Sequence, residues 1–149
     1  MQHSVLITHR DRNQHLNLCL WSLERSACAC GIVDWEAVVV DEGSREIPCG
    51  DWPHLVLVLD REAPAEFNKS RAYNLGIDRS QGEILTFLDA DAIVGPRFLE
   101  AALCLEDASL DRCCYRVRYL PACEDLRIET AENRAAYVDD LLAEYESYR

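Results

Sequence analysis

Short runs of apolar residues recur along the first two thirds of the chain, and each ends at a polar turn. They span residues 4–8, 36–40, 54–59 and 84–88. Uninterrupted apolar runs of this length are typical of strands that are covered on both faces. A fifth run, at 113–120, is predicted as one more strand. The pattern therefore predicts a sheet whose strands are largely buried.

Helices are predicted between these strands from apolar residues at three- and four-residue spacing. One follows the first strand and ends at Gly31, a second spans 68–80 and is closed by Gly82, a third opens at Pro96, and a last one spans 130–148. Their inward-facing residues are Leu16, Cys19, Leu20, Leu23 and Ala27, then Ala72, Leu75 and Ile77, then Phe98, Leu99, Ala102 and Leu103. Strands that alternate with helices imply βαβ units, and hence an α/β fold with a mainly parallel sheet.

Carboxylates stand at the ends of three predicted strands. Asp41, Asp60 and Asp89 each follow an apolar run directly. Right-handed crossovers bring the carboxyl ends of parallel strands to one edge of the sheet, which is where open α/β sheets bind ligands. We therefore expect a ligand site at that edge.

Asp89 and Asp91 form an Asp-Ala-Asp motif directly after the fourth strand. Residues i and i+2 of an extended segment project to the same side, so both carboxylates can face one ligand. Carboxylate oxygens suit Mg²⁺ or Mn²⁺, and these ions commonly bridge to substrate phosphates. The alternative is a pair of loop acids that cap the helix near Pro96.

Two further segments have both a functional and an ordinary interpretation. Asp41 lies at a strand end before Gly43 and Ser44, where it could accept hydrogen bonds from a base or ribose, or simply belong to a turn. Lys69 and Arg71 open the second helix, where backbone N–H groups favour anions, or they form a solvated basic patch.

Composition narrows the functional classes. The 149 residues suit one domain, 1–149, and 49% of them are hydrophobic, which is enough for a core. A net charge of -12 argues against general nucleic-acid binding, and Lys69 is the only lysine.

No charged leader precedes a long apolar stretch and no run reaches membrane-spanning length, so a cytoplasmic protein without a transmembrane segment is expected. The eight cysteines include no CxxC pair and are predicted to be free thiols.

Four ordered motifs resemble the family 2 glycosyltransferases. They are Thr8 after the first strand, Val-Val-Asp-x-Gly-Ser after the second, Asn-Lys-x-Arg-x-x-Asn-x-Gly-Ile, and Gly-Glu-Ile-Leu-x-Phe-Leu-Asp-Ala-Asp. The resemblance covers residues 4–105, and the stretch 68–91 is similar to the chondroitin and hyaluronan synthase or galactosyltransferase branch. It implies a GT-A fold, a Rossmann-like three-layer sandwich that is truncated relative to full-length members.

The resemblance also implies roles for individual residues. The UDP-sugar donor would be bound by Thr8, Asp41, Lys69, Arg71 and Asp89. Asp41 would contact the uracil or ribose, with Thr8 beside the base. Arg71, together with Lys69, would contact the nucleotide or its phosphates. Asp91, with Asp89, would hold Mn²⁺ or Mg²⁺ at the diphosphate, while Asp89 could instead touch the ribose. Family members transfer the sugar to a hydroxyl acceptor with inversion, using a carboxylate as base.

The sequence departs from the family in several places. Residues 7–12 read Ile-Thr-His-Arg-Asp-Arg where Pro-Thr-Tyr-Asn-Arg is usual, and Glu42 stands where an aspartate is usual. No glycine follows Gly95, so the Gly-Gly stretch of the acceptor half is missing. Asp125, in the pair 124–125, is the one candidate for the base. A non-catalytic nucleotide-sugar-binding module therefore stays open beside glycosyl transfer.

Two other enzyme classes fit less well. Haloacid dehalogenase type phosphatases also open with Asp-x-Asp but need a downstream lysine, and Lys69 lies upstream of Asp89. Nucleotidyltransferases of similar fold need a glycine-rich loop after the first strand, and residues 9–13 contain no glycine. His9 stands at a strand end from which it could reach the ligand, but it is predicted as a polar surface histidine. The apolar stripe of the last helix is expected to cover the sheet or another subunit, either a second copy or a partner.

Overall fold

The computed structural model describes residues 3–48 and 50–104, together with positions 136, 140 and 143. Its elements are β1 (His3–His9), α1 (Asn13–Cys30), β2 (Trp35–Asp41), β3 (Leu55–Leu59), α2 (Lys69–Arg79), β4 (Ile84–Asp89) and α3 (Phe98–Leu103). The strand predicted at 113–120 and the helix predicted at 130–148 lie outside the described residues. Within the described part, no helix is long and apolar enough to cross a membrane, and Cys19, Cys28, Cys30 and Cys104 are free thiols.

The four strands form one parallel sheet in the order β3-β2-β1-β4. Every residue of β1 and β2 is buried, as the uninterrupted apolar runs predict. One core cluster joins Leu16 and Leu23 of α1 and Leu99 of α3 to Val5 and Val39 of the sheet. On the other face α2 packs on β1 and β2. The two central strands are therefore covered by helices from both sides.

The four strand predictions that fall within the described residues are confirmed, with bounds that move by one residue at most at either end. Gly31 caps α1 in the left-handed conformation, with φ of 65°, as expected of a C-terminal glycine. Three helix details are wrong, the third being the closure of α2 by Gly82. Ile77 was expected to face inwards but is 40% exposed, because α2 buries Ala72 and Gly76 instead. Pro96 precedes α3, which begins at Phe98.

Gly82 does not close α2, which ends at Arg79 with Ser80 as its cap. Gly82 instead lies against the start of β1, where its N–H donates to Ser4 Oγ at 2.8 Å. Ser4 Oγ in turn donates to Glu36 Oε1 at 2.6 Å. Glu36 Oε1 also accepts a hydrogen bond of 2.7 Å from the N–H of Gln81. These hydrogen bonds tie the α2–β4 connection to the amino-terminal edge of the sheet and fix where β4 begins.

His3 makes the stability of this edge depend on pH. Its side chain is buried, Nε2 lies 2.8 Å from Thr86 Oγ1, and burial lowers its pKa from 6.5 to about 4. The folded state thus favours the neutral ring, so stability is full above the unfolded pKa and is lost as pH falls towards the folded pKa. We expect His3 to account for about 2 kcal/mol of lost unfolding free energy between about pH 7 and about pH 5. Urea unfolding at both pH values checks this. A His3→Gln variant with the same pH slope as the unaltered chain would contradict it.

Candidate functional site

The predicted acids meet at the carboxyl edge of the sheet. In the strand register Asp41 pairs with His9, and Thr8 of the same central strand pairs with Asp89. Asp41 and Asp89 thus lie two strand spacings apart, about 10 Å. Asp60 joins them from the end of β3, since its N–H donates to the Asp41 carbonyl at 2.9 Å. The structure therefore brings together three strand ends that the sequence separates by up to 48 positions.

Asp41 is buried, and its two carboxylate oxygens have different environments. Oδ1 accepts a hydrogen bond of 2.8 Å from the N–H of Ser44, which closes the turn after β2. Oδ2 is buried without a hydrogen-bond partner. Its neighbour across the strand is His9, with Nε2 at 3.9 Å. Burying a carboxylate oxygen without a hydrogen-bond donor costs free energy of folding. Stability alone therefore does not explain why Asp41 is at this position.

A cavity of about 370 Å³ opens beside Asp41, above the ends of β2 and β3. Its volume is in the range of small-molecule sites. Its wall combines charged and apolar side chains from three loops: Arg10, Asp41, Gly43, Ser44, Ile47, Leu59, Asp60, Arg61, Ala63, Pro64 and Ala65. Two of the lining residues are joined by a hydrogen bond of 3.1 Å, from a guanidinium N–H of Arg10 to the Pro64 carbonyl.

Arg71 forms ion pairs with two carboxylates of the chain itself. Its guanidinium makes a bidentate ion pair with Asp60. Glu42 Oε1 lies 3.9 Å from Nη1 of the same guanidinium. Asp60 and Glu42 are 6% and 0% exposed, whereas the Arg71 side chain is 36% exposed. Glu42 also accepts from the N–H of Asn68 at 2.7 Å. The arrangement joins the ends of β2, β3 and the start of α2, a role that the sequence did not indicate.

Asp89 and Asp91 are both half-exposed, and each contacts a cation of the chain. Lys69 Nζ, from the first turn of α2, donates to Asp89 Oδ1. This hydrogen bond is the main reason why the pKa of Lys69 is raised. Arg12, from the β1–α1 loop, donates to Asp91 Oδ2 at 2.8 Å. The sequence analysis did not identify Arg12, which lies 79 positions from its partner.

The two carboxylates fit a hard divalent cation as donors, since their oxygens are accessible and already attract positive charge. In the described part of the chain no group of three or more histidine, cysteine, aspartate or glutamate side chains forms a complete metal cage. Among the residues that the structure describes, Asp89 and Asp91 are thus the candidate ligands at this edge, and phosphate oxygens and water commonly complete the shell of Mg²⁺ at phosphates.

Tyr73 borders the same end of the site. Its hydroxyl donates to the Leu88 carbonyl at 3.3 Å, and Lys69 Nζ lies 5.7 Å from the centre of its ring. Partial burial raises its pKa. Thr8 is buried at the end of β1, between Val40 and Asp89 in the register. Asp125, the candidate base, lies outside the described residues.

His9 is buried, so its prediction as a surface histidine is wrong. Its Nε2 lies 2.8 Å from Asn13 Oδ1 at the start of α1. Burial is the main cause that lowers its pKa, so the ring is neutral at neutral pH. The prediction failed because His9 follows an apolar run and precedes charged residues, a position that looks solvated until α1 folds over it.

The sequence of the chain matches one family model, described as glycosyl transferase family 2, over residues 4–108. The chain belongs to this family. A search of curated protein sequences found no significant match. The family resemblance stated from the motifs is thus confirmed, while the chondroitin and hyaluronan synthase or galactosyltransferase branch stays a prediction.

Solved structures with a similar fold include TarS of S. aureus, residues 1–349, with a TM-score of 0.58 and 18% identity over 72% of this chain and 33% of that one. The same TarS fragment in complex with UDP-GlcNAc gives 0.56 at 19% identity, and in complex with UDP 0.52 at 20%, each over 72% of this chain and 32% of that one. Similarity at these identities shows the fold, which is the GT-A type. The family 2 chain described here spans about a third of the length of those chains.

Proposed function

We propose that this family 2 domain binds a UDP-sugar at the carboxyl edge of its sheet and serves as the donor half of a glycosyltransferase. One observation carries the proposal: a buried carboxylate beside a cavity, Asp41, lies about 10 Å across the sheet from Asp89, an accessible carboxylate that Asp91 follows by two positions. That separation suits a ligand with a uracil-ribose end and a diphosphate end. The structures of TarS with UDP and UDP-GlcNAc support the choice of nucleotide.

The nucleoside end is assigned to the cavity. Asp41 would accept a hydrogen bond from the uracil or ribose, and Thr8 would lie beside the base at the end of β1. Arg71 is proposed to act at this end as well, mainly through the carboxylates it holds. Its ion pair with Asp60, which lines the cavity, keeps that wall in place. Direct contact between Arg71 and the phosphates would require breaking this pair.

The diphosphate end is assigned to Asp89, Asp91 and Lys69. Asp89 and Asp91 would hold Mn²⁺ or Mg²⁺, and Lys69 would keep a positive charge beside the phosphates. When bound, the ion supplies a Lewis acid that stabilises the negative charge of the departing UDP. The chain's own contribution is to orient the donor: Asp41 fixes the nucleoside, and Lys69 and the two acids fix the diphosphate.

Transfer to a hydroxyl acceptor with inversion needs a carboxylate base, and Asp125 is the candidate. A module that binds nucleotide-sugar without transferring the sugar is the second candidate function, because no glycine follows Gly95 and the Gly-Gly stretch of the family's acceptor half is therefore missing from this sequence. UDP release from UDP-sugars in the presence of manganese would indicate transfer or hydrolysis. Binding without release would indicate the module.

Calorimetric titration with UDP tests the proposal. The unaltered chain is expected to bind UDP at least about tenfold more tightly with manganese than without it, because the ion joins the acids to the phosphates. Asp91→Ala should remove that gain. Asp78→Ala is the matched control, since it removes an exposed carboxylate from α2, away from the sheet edge, and should keep the gain. Equal affinity with and without manganese in all three proteins would refute the metal site, and absence of UDP binding would refute the donor site.

A further inference from the structure

His9 is the residue at this edge for which the family resemblance offers no role. It stands within the segment that departs from the usual Pro-Thr-Tyr-Asn-Arg pattern, yet its side chain is fully buried. A histidine costs free energy to bury unless its polar atoms are satisfied. Here only Nε2 has a hydrogen-bond partner, Asn13 Oδ1, and Nδ1 has none. The buried Nδ1 without a hydrogen bond therefore lowers the stability of the fold, as polar groups at binding sites often do.

The hydrogen bond to Asn13 determines which ring nitrogen carries the proton. Asn13 is oriented by its own amide, because Nδ2 donates to the Glu46 carbonyl at 3.3 Å, which leaves Oδ1 facing His9. Oδ1 can only accept, so Nε2 of the neutral ring must donate. The same Nε2 faces Asp41 Oδ2 at 3.9 Å. The single hydrogen on Nε2 is donated to Asn13, and the same polar edge of the imidazole borders, beyond hydrogen-bond distance, the carboxylate that the proposed function places at the nucleobase.

His9 is a polar neighbour of the Asp41 oxygen that has no hydrogen bond. Oδ1 is fixed by Ser44, a residue of the cavity wall, while Oδ2 is buried and has no hydrogen-bond donor. If Oδ2 loses the electropositive N–H edge of His9, the carboxylate gains by rotating towards any other donor or towards water. A ligand in the cavity would then meet a carboxylate with no fixed direction.

We propose that His9 is a positioning residue for the nucleobase: its Nε2–H, held by Asn13, fixes the Asp41 carboxylate so that Oδ1 is presented to the cavity. The inference rests on the proposed UDP site and adds to it a residue that acts through Asp41 without touching the ligand. It predicts an effect on the nucleoside end of the ligand alone. The diphosphate end, at Asp89 and Asp91, should not respond to His9.

Two substitutions separate the N–H group from the ring. His9→Phe keeps a planar ring in the buried space and removes the donor, whereas Gln places an amide N–H near the position of Nε2. We expect His9→Phe to weaken UDP binding in manganese about tenfold, and His9→Gln to restore most of the loss. Binding of inorganic pyrophosphate in manganese should be the same in both variants. His15→Phe, the matched change on α1, should bind UDP like the unaltered chain.

A double-mutant cycle tests whether His9 acts through Asp41. In an Asp41→Asn background, His9→Phe should change UDP affinity by less than about twofold. Undiminished loss in that background, equal loss in the Phe and Gln variants, or equal loss of pyrophosphate binding would each overturn the inference while leaving the UDP site intact. Absence of UDP binding by the unaltered chain would overturn the proposed function instead.

A readout without ligand covers the case in which His9→Phe does not fold. Long-range ¹H–¹⁵N correlation spectra of the unaltered chain report which imidazole nitrogen carries the proton. We expect His9 to be the Nε2–H tautomer. Observation of the Nδ1–H tautomer would overturn the inference, whatever the ligand affinity is.

Discussion

Replacing Arg71 with methionine is expected to lower the free energy of unfolding by about 3 kcal/mol, one of the two largest effects we predict for a single substitution in this chain. The variant leaves Asp60 and Glu42 buried with no cation between them, and removal of one partner from a buried ion pair typically costs about 3–5 kcal/mol. The partial exposure of the guanidinium places the expected cost at the lower end of that range. Urea unfolding measured by circular dichroism checks it.

Arg79→Met is the matched control, because it makes the same change on the same helix at an exposed position. It should cost less than about 1 kcal/mol, mainly through the lost interaction with the helix end. Combining Arg71→Met with Asp60→Leu should recover part of the loss, since the unpaired carboxylate is then gone. Equal destabilisation by the two methionine variants would show that the network contributes nothing specific.

The acids at the carboxyl edge of the sheet were predictable because their positions follow from the hydrophobic pattern. A buried parallel strand is recognised by its apolar run, and the residue where the run stops is at the carboxyl edge. Asp41, Asp60 and Asp89 were all placed in this way, and the register confirms that they share one edge. Which pairs they form was not predictable, because it depends on how the loops between the strands fold.

The ion-pair partners of Arg12 and Arg71 could not be predicted from the sequence. Arg12 reaches Asp91 from another loop, and nothing near either residue in sequence indicates the other. Arg71 was assigned to the ligand because it lies in a motif at a helix start, but a bidentate pair with Asp60 needs only a β3–α2 connection that returns beside the strand end. His9 differs again, since its burial depends on α1 packing over the end of β1. In each case the deciding contact is tertiary.

The charges at the edge explain how an acidic protein can bind a diphosphate. Two carboxylates face the proposed phosphate position, and each already contacts a cation, Lys69 or Arg12. The site is therefore close to neutral before any metal binds. A divalent ion that displaces either cation from its carboxylate leaves the local charge positive, which favours phosphate oxygens.

The second large effect is expected from Gly82→Ala, which acts at the opposite edge of the sheet. A Cβ at position 82 would lie 2.4 Å from the Ser4 nitrogen and 2.7 Å from the His3 carbonyl carbon, both of them backbone atoms that cannot rotate away. The substitution should cost about 3 kcal/mol of unfolding free energy, the upper part of the usual range for overpacking. Gly95→Ala is the control, because no atom lies within 4 Å of its added methyl group and neither glycine has a positive φ.

The same substitution should also weaken UDP binding in manganese, because Gly82 fixes where β4 starts. β4 is six residues long and ends at Asp89, so a shift of the strand at its beginning moves the carboxylate at its end relative to Thr8. Calorimetry under native conditions, with folding verified by circular dichroism, measures the effect. If Gly82→Ala were destabilised but bound UDP as tightly as Gly95→Ala, the position of Asp89 would not depend on the contact with Ser4. The register of β4 would then have to be set by its pairing with β1 alone.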